Sequence, residues 1–341
     1  MYARYNVTLL SGLRTPLQSD TIFGHLCWAI RYLEGDEGKM LEAFLHRYDS
    51  GEPPILLSCA MPEGFLPRPV LPSMDRQTLC DKARAIGAAL GFGGQQALYN
   101  GLTVLKSLRK RAWVRVEDWL TLRDGLSESA LVDNLLDRER KNEGVPAEDK
   151  SAIRDHNSIS RISNRVLEPG GLYAVEEHWR RPEDRMQIYV RFASPDDRAL
   201  WDRLWQEYIV PTGFGKDKST GAGWLAIAQD TTFASDLFAL EGADCHMSLS
   251  NTALPAWPGG ISGFYKTFCK KGKLGGHFAT HGPNGGPANP FKKPLLMLRP
   301  GAVFRGGPPA GGLVANVHAD AAIRHYGLPL CLPARLEARD A

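Results

Sequence analysis

Residues 3 to 10, ARYNVTLL, alternate apolar and polar positions as a half-buried strand does. SGLRTPLQ breaks that period, and TIFGHLCWAIRYLEG then repeats at helical spacing. Ile22, Phe23, Leu26, Ile30 and Leu33 fall on one face, Ser19 or Asp20 is the expected N-cap, and Gly35 the expected stop. PPILLSCAMP reads as a short strand, FLPRPVLP as an extended proline-bounded stretch, and DRQTLCDKARAIGAALG as a second helix. From about 123 to 165 the period is lost, and DRERKNEGVPAEDKSAIRDHN is too charged to build a core alone, so an insertion with a mobile tip is expected. RMQIYVRF predicts a strand, PDDRALWDRLWQEYIV a helix with Leu200, Leu204 and Tyr208 recurring every four residues, and WLAIAQ a closing strand.

The order strand, helix, strand, insertion, strand, helix, glycine-rich loop, strand is that of a ferredoxin-like unit, an order shared with the RNA-recognition fold. It predicts an N-terminal domain over 1–232, with the insertion near 123–165 and the loop at 213–223. Beyond it CHMSLSNTAL, LLMLRP, GLVANV and LPLCLPARL are short strand patterns separated by Gly/Pro-rich loops. The C-terminal domain, 233–341, is therefore expected to be rich in strand and loop. The fold class is α+β.

Composition narrows the function. At 341 residues and 43% hydrophobic, the chain can bury a full core, and no run approaches a membrane span. The start enters a strand pattern rather than a signal-peptide core, so a cytoplasmic location is expected, with no membrane partner. The six cysteines, Cys27, Cys59, Cys80, Cys245, Cys269 and Cys331, form no C-x-x-C pair, so they read as small buried hydrophobes and neither a metal nor a cofactor is expected. A net charge of +3 is too small for a generally basic polyanion binder and leaves the work to local clusters: KSLRKRAW from Lys106, YKTFCKKGK from Tyr265, and the glycine-rich loop.

That loop, GFGKDKSTGAGW at 213–224, suggests a nucleotide cradle but fails both spacing tests. A Walker loop needs Gly-Lys-Ser/Thr, whereas Gly215-Lys216 is followed by Asp217; a dinucleotide loop needs a third glycine where Lys218 stands. A phosphate-binding metabolic protein is correspondingly disfavoured.

Five stretches in order bring a family into view: SDTIFGHLCWAI at 19–30, PPILLSCAMPEGFLPRP at 53–69, HNSISRISNRVLEPGGLYAVEE at 156–177, the loop at 213–224, and KKPLLMLRPGAVF at 292–304 followed by HYGLPLCLP at 325–333. The chain resembles the RAMP superfamily of CRISPR effector proteins, most closely the subunit of type III-A (Csm) complexes that binds the crRNA five-prime handle. The resemblance implies two tandem ferredoxin-like (RRM-like) domains, a glycine-rich loop facing the crRNA, and two protein partners: the large polymerase-cyclase subunit and the first backbone RAMP subunit. It implies a scaffold without catalysis. The sequence departs from the pattern in its long Gly/Pro-rich loop at 272–290 and in lacking a clean second glycine-rich motif.

Binding a single-stranded handle needs cations and amides for phosphates and flat groups for bases. In the loop, Gly213, Gly215 and Gly221 admit a polymer backbone, Lys216 and Lys218 supply charge, Ser219 and Thr220 supply hydroxyls, and Phe214 supplies a ring, with Trp224 expected in the core. Arg161 and Arg165 in HNSISRISNR, Arg14 after the first strand, and Lys266, Lys270 and Lys271 beside Tyr265 and Phe268 complete the candidate set; Arg68 is a weaker one. The alternative is a crRNA-processing endoribonuclease of the same superfamily, with His25 as general acid or base.

Overall fold

The computed structural model describes residues 1–35, 37–143, 145–146, 150–166, 171–253, 262–279, 289–309 and 312–337. Most of the 272–290 loop lies outside them. The chain is α+β, with helices and several small antiparallel sheets. It divides into two compact units: residues 1–56 with 147–233, and residues 57–146 with 234–341.

The first unit contains β1 (Tyr2–Leu9), α1 (Ser19–Glu34), α2 (Lys39–Asp49), β2 (Ile55–Leu57), β3 (Lys150–Asn157), β4 (Leu172–Trp179), β5 (Met186–Phe192), α3 (Pro195–Leu204) and β6 (Leu225–Gln229). Its main sheet runs β2-β5-β1-β6, with β1 antiparallel to both neighbours and Val7 opposite Met186 on one side and Ile227 on the other. Setting aside α2 and the β3–β4 ribbon, the elements follow the β-α-β-β-α-β order expected of a ferredoxin-like unit. Tyr5, Val7 and Ile188 point to one face of the sheet and are buried together with Ile22, Leu26 and Ile30 of α1 and Trp201 and Leu204 of α3. The alternation of ARYNVTLL is thus a true inside–outside pattern.

Two local details depart from the sequence reading. The cap of α1 is Gln18, whose side chain and backbone exchange hydrogen bonds with Thr21. The buried stripe after Pro195 runs through Trp201, Leu204, Trp205 and Ile209, not through Leu200 and Tyr208. The reason is a π turn over Trp205–Ile209, where the Val210 N–H reaches back five residues to the Trp205 carbonyl and adds a residue to the helical repeat.

In the second unit, helices Arg76–Ala89 and Gly94–Arg109 pack so closely that a Cβ on Gly87 would lie 1.9 Å from the Ala97 carbonyl oxygen, and one on Gly101 1.7 Å from that of Ala83. Helix Glu128–Arg140, inside the expected insertion, is ordered; Leu131, Val132 and Leu135 join Ala83, Ile86, Leu105, Leu108 and Val114 in one core. Three apolar residues on one face and a Ser127 cap offset its charge. Residues 57–146, grouped by sequence with the first domain, belong to this unit: the Val70 N–H bonds the Gly301 carbonyl and the Leu126 N–H that of Arg335. The unit also holds a four-stranded sheet ordered Gly263–Phe264, Val303–Arg305, Cys245–Ser248, Cys331–Ala334, and a three-stranded one ordered Thr252–Ala253, Leu295–Leu298, Thr267–Lys270. Cys59 and Cys245 are buried as expected, but Cys269 is exposed. Among the described residues no helix is long and apolar enough to cross a membrane, and no cluster of three His, Cys, Asp or Glu is placed to hold a metal ion.

Candidate nucleic-acid interface

Three segments of the first unit converge: the β1–α1 connection, the base of the β3–β4 ribbon, and the glycine-rich loop between the π turn and β6. The loop is held from within. The Phe214 N–H donates to the Gly223 carbonyl at 2.8 Å, and the Gly223 N–H to the Gly12 carbonyl at 2.8 Å. The Gly215 N–H donates to Nε2 of His25 at 3.0 Å and the Lys216 N–H to the Thr15 hydroxyl at 2.9 Å. These amides are turned toward the β1–α1 segment and α1, so they are not the open phosphate nest that the glycine content suggests. Glycine is required at two points. At Gly215, φ is +86° and a Cβ would sit 2.6 Å from Thr15 Cβ; at Gly223, φ is +74° and a Cβ would meet the Phe214 carbonyl oxygen at 1.8 Å.

His25 is the anchor. Its ring stacks on Phe214, centroids 4.1 Å apart, and because Nε2 accepts a hydrogen bond the proton of the neutral ring belongs on Nδ1. Burial, with a smaller contribution from the Lys218 charge, pushes the imidazole down to about 3. Phe214, expected to face bases, is fully buried beneath this ring, whereas Trp224, expected in the core, is 54% exposed. The two aromatics have exchanged the places assigned from sequence, since the loop needs an apolar plug on its inner side and the strand turns Trp224 outward.

The cations divide. Lys216, Ser219, Thr220 and Gly221 are exposed. Lys218 is half-buried: its ammonium lies 5.2 Å from the Tyr208 ring centroid and donates to the Thr212 hydroxyl at 3.2 Å, and burial lowers its pKa. Tyr208 in turn stacks on Tyr32, and Tyr32 on Trp28, each pair 5.5 Å apart. Sequence spacing shows Trp28 and Tyr32 one helical turn apart, but it could not show the π turn that brings Tyr208 to them.

Arg14 is not free to meet phosphate. It pairs with Glu177 of β4 and, at 2.8 Å, with Asp217, and only 11% of its side chain is exposed. The hydrogen bond from Asp217, then that from Glu177, holds the guanidinium in its charged form. Asp217 has left-handed backbone, φ 61° and ψ 26°, so Arg14 ties a strained loop residue to the ribbon. Arg161 and Arg165 lie exposed at the ribbon tip, where the Ser160 N–H bonds the Arg165 carbonyl; among the described residues neither is in an ion pair, and Glu168 lies outside those residues. Lys266, Lys270 and Lys271 belong to the second unit, on and beside strand Thr267–Lys270; Lys266 and Lys271 are exposed, and the Phe268 ring is covered by Arg299 at 5.0 Å. Arg68 is absorbed by Glu128 at 2.8 Å, which Arg109 of the KSLRKRAW cluster also contacts.

No protein-family model and no curated relative matches the sequence. Solved structures do match. A chain of the Csm3-Csm4 subcomplex of the type III-A CRISPR-Cas interference complex aligns over 96% of this chain and 99% of its own, with 13% identity and a TM-score of 0.52. The fold is that of a Csm4-like RAMP subunit. Chains of the Csm1-Csm4 cassette in complex with pppApA and with cA4 align with the Csm4-like fold over 99% and 98% of this chain and 100% and 99% of their own, each with 16% identity and a TM-score of 0.50.

Proposed function

We propose that the chain is a non-catalytic crRNA-binding subunit of a type III, Csm-like CRISPR interference complex, capping the crRNA five-prime handle and linking the large polymerase-cyclase subunit to the backbone RAMP filament. The observation that carries the proposal is the loop itself: in a chain of Csm4-like fold, it is locked by α1 on its inner side while Lys216, Ser219 and Thr220 stand exposed on its outer side. Charge and hydroxyls on a preorganised edge suit a phosphate chain at low entropic cost. The unpaired arginines of the ribbon tip extend the same chemistry. The β-α-β-β-α-β order of the first unit supports one of the two tandem ferredoxin-like domains, and the strand-rich second unit is the proposed second.

The endoribonuclease reading asks His25 to exchange protons with RNA. Its Nε2 is occupied by a backbone N–H, one ring face is covered by Phe214, and burial disfavours the imidazolium, so a positioning role fits better. Two experiments test the proposal. Affinity for repeat-derived handle RNA should fall steeply with salt, and Lys216→Ala/Lys218→Ala should make the slope shallower by roughly one to two units; an unchanged slope refutes the loop's role. Specific cleavage of repeat RNA by the purified chain, abolished in His25→Ala, would refute the scaffold.

A further inference from the structure

We propose that Trp224, with Leu10 beside it, is a stacking platform for a nucleobase of the same single strand whose phosphates meet the glycine-rich loop. This inference rests on the RNA-binding reading above and adds to it the site where a base is held.

Trp224 follows Gly223, at the exit of the loop, and its backbone is fixed on both sides. The Leu10 and Ser11 N–H groups donate to its carbonyl at 2.8 and 3.2 Å, and its own N–H donates to the Ser11 hydroxyl at 2.9 Å. A residue held so firmly would be expected to bury its indole, yet Trp224 is 54% exposed and Leu10, its cross-strand neighbour, 59%. The register explains this. Leu9 pairs with Leu225 and both are buried, so Leu10 and Trp224 face the other way, on the sheet face that also carries Thr8 opposite Ala226 and Asn6 opposite Ala228.

β6 is the edge strand, and the exposed positions after Trp224 are alanines, too short to cover the indole. The apolar surface is thus one ring and one aliphatic side chain on a face otherwise small or polar, which is the size of a base and far below the core of a stable protein–protein interface. Exposed Lys216, Ser219 and Thr220 precede it in the same loop. A rigid aromatic face next to cationic, hydroxyl-bearing chain is the pairing that single-stranded nucleic acids use: charge for the phosphates, a π face for the base, little demand on base identity.

The test uses the whole chain and the same handle RNA, with Trp224→Leu, which keeps apolar area but removes the π face, and Trp224→Phe, which keeps a ring. Trp224→Leu is expected to weaken binding by roughly tenfold, within the range for loss of one stacked base. Trp224→Phe should restore most of the affinity, the salt slope should match the parent's, and ultraviolet crosslinking should map RNA to the 224 position. If the unsubstituted chain does not bind handle RNA at all, the RNA-binding reading fails and this inference with it. If it binds and Trp224→Leu binds equally well, the platform alone is refuted. Loss of a co-purifying protein subunit in Trp224→Leu with unchanged RNA affinity would likewise overturn it, assigning the face to protein.

Discussion

The His25 anchor makes the glycine-rich loop sensitive to acid. Neutral His25 accepts the Gly215 N–H; a protonated ring has only donors to offer, and its charge would face Lys218 across a half-buried site. The folded loop therefore holds the imidazole down at about 3, against an ordinary value of 6.5. When the loop opens, His25 takes up a proton at any pH below 6.5. Between 6.5 and 3 the open state binds the extra proton, so the stability of the closed loop rises with pH and is lost progressively as pH falls through the open-state value. From pH 7 to pH 5, two such values give a roughly 25-fold gain in opening, about 2 kcal/mol. Hydrogen exchange of peptides spanning 213–223, corrected for the intrinsic pH dependence, reads this directly. His25→Gln places a non-titrating acceptor near Nε2 and should remove the pH dependence while retaining most of the protection at pH 7. Equal pH dependence in the two proteins would refute the account of His25 as a buried neutral acceptor.

Three further outcomes are expected. Arg14→Gln strands the Glu177 carboxylate, of which only 4% is exposed, and releases Asp217, so chemical denaturation should register a loss of about 3 kcal/mol. Gly223→Ala forces a side chain into the Phe214 carbonyl at a positive φ and should cost about 1–3 kcal/mol, with handle-RNA affinity falling and circular dichroism of the helices kept. Gly101→Ala drives the two helices of the second unit apart and should lower the thermal midpoint by several degrees, corresponding to about 1–3 kcal/mol, while leaving protection of the 213–223 loop intact.

What the sequence made legible follows from local periodicity. β1, α1, β5 and β6 were readable because one face of each is buried and the other is not, and Gly35 ends α1 in the left-handed conformation as read. Helix Gly94–Arg109 was missed because its stripe is interrupted by Gly101, a residue that marks a helix breaker in sequence and a close crossing in structure. The insertion concealed Glu128–Arg140, whose three buried residues are outnumbered by charges. At the site, loop and histidine were found by residue type, but their roles depended on direction: Phe214 inward, Trp224 outward, Arg14 toward two carboxylates. Those directions are set by residues more than a hundred positions away, such as Glu177 for Arg14 and His25 for Gly215, and no window along the chain contains them.

The π turn at Trp205–Ile209 has a consequence for how this chain can vary. A turn that holds one residue more than an α-helical turn is a matter of counting: remove any one of the five and the segment can relax to an ordinary helix, rotating whatever follows by about 100° and drawing it back by about 1.5 Å. Tyr208 would leave Tyr32, Lys218 would lose its ring, and Gly215 would no longer meet His25. The segment should therefore accept many side-chain exchanges and no change in length, so that its tolerance is written in the spacing between α3 and the loop rather than in the identity of any residue there.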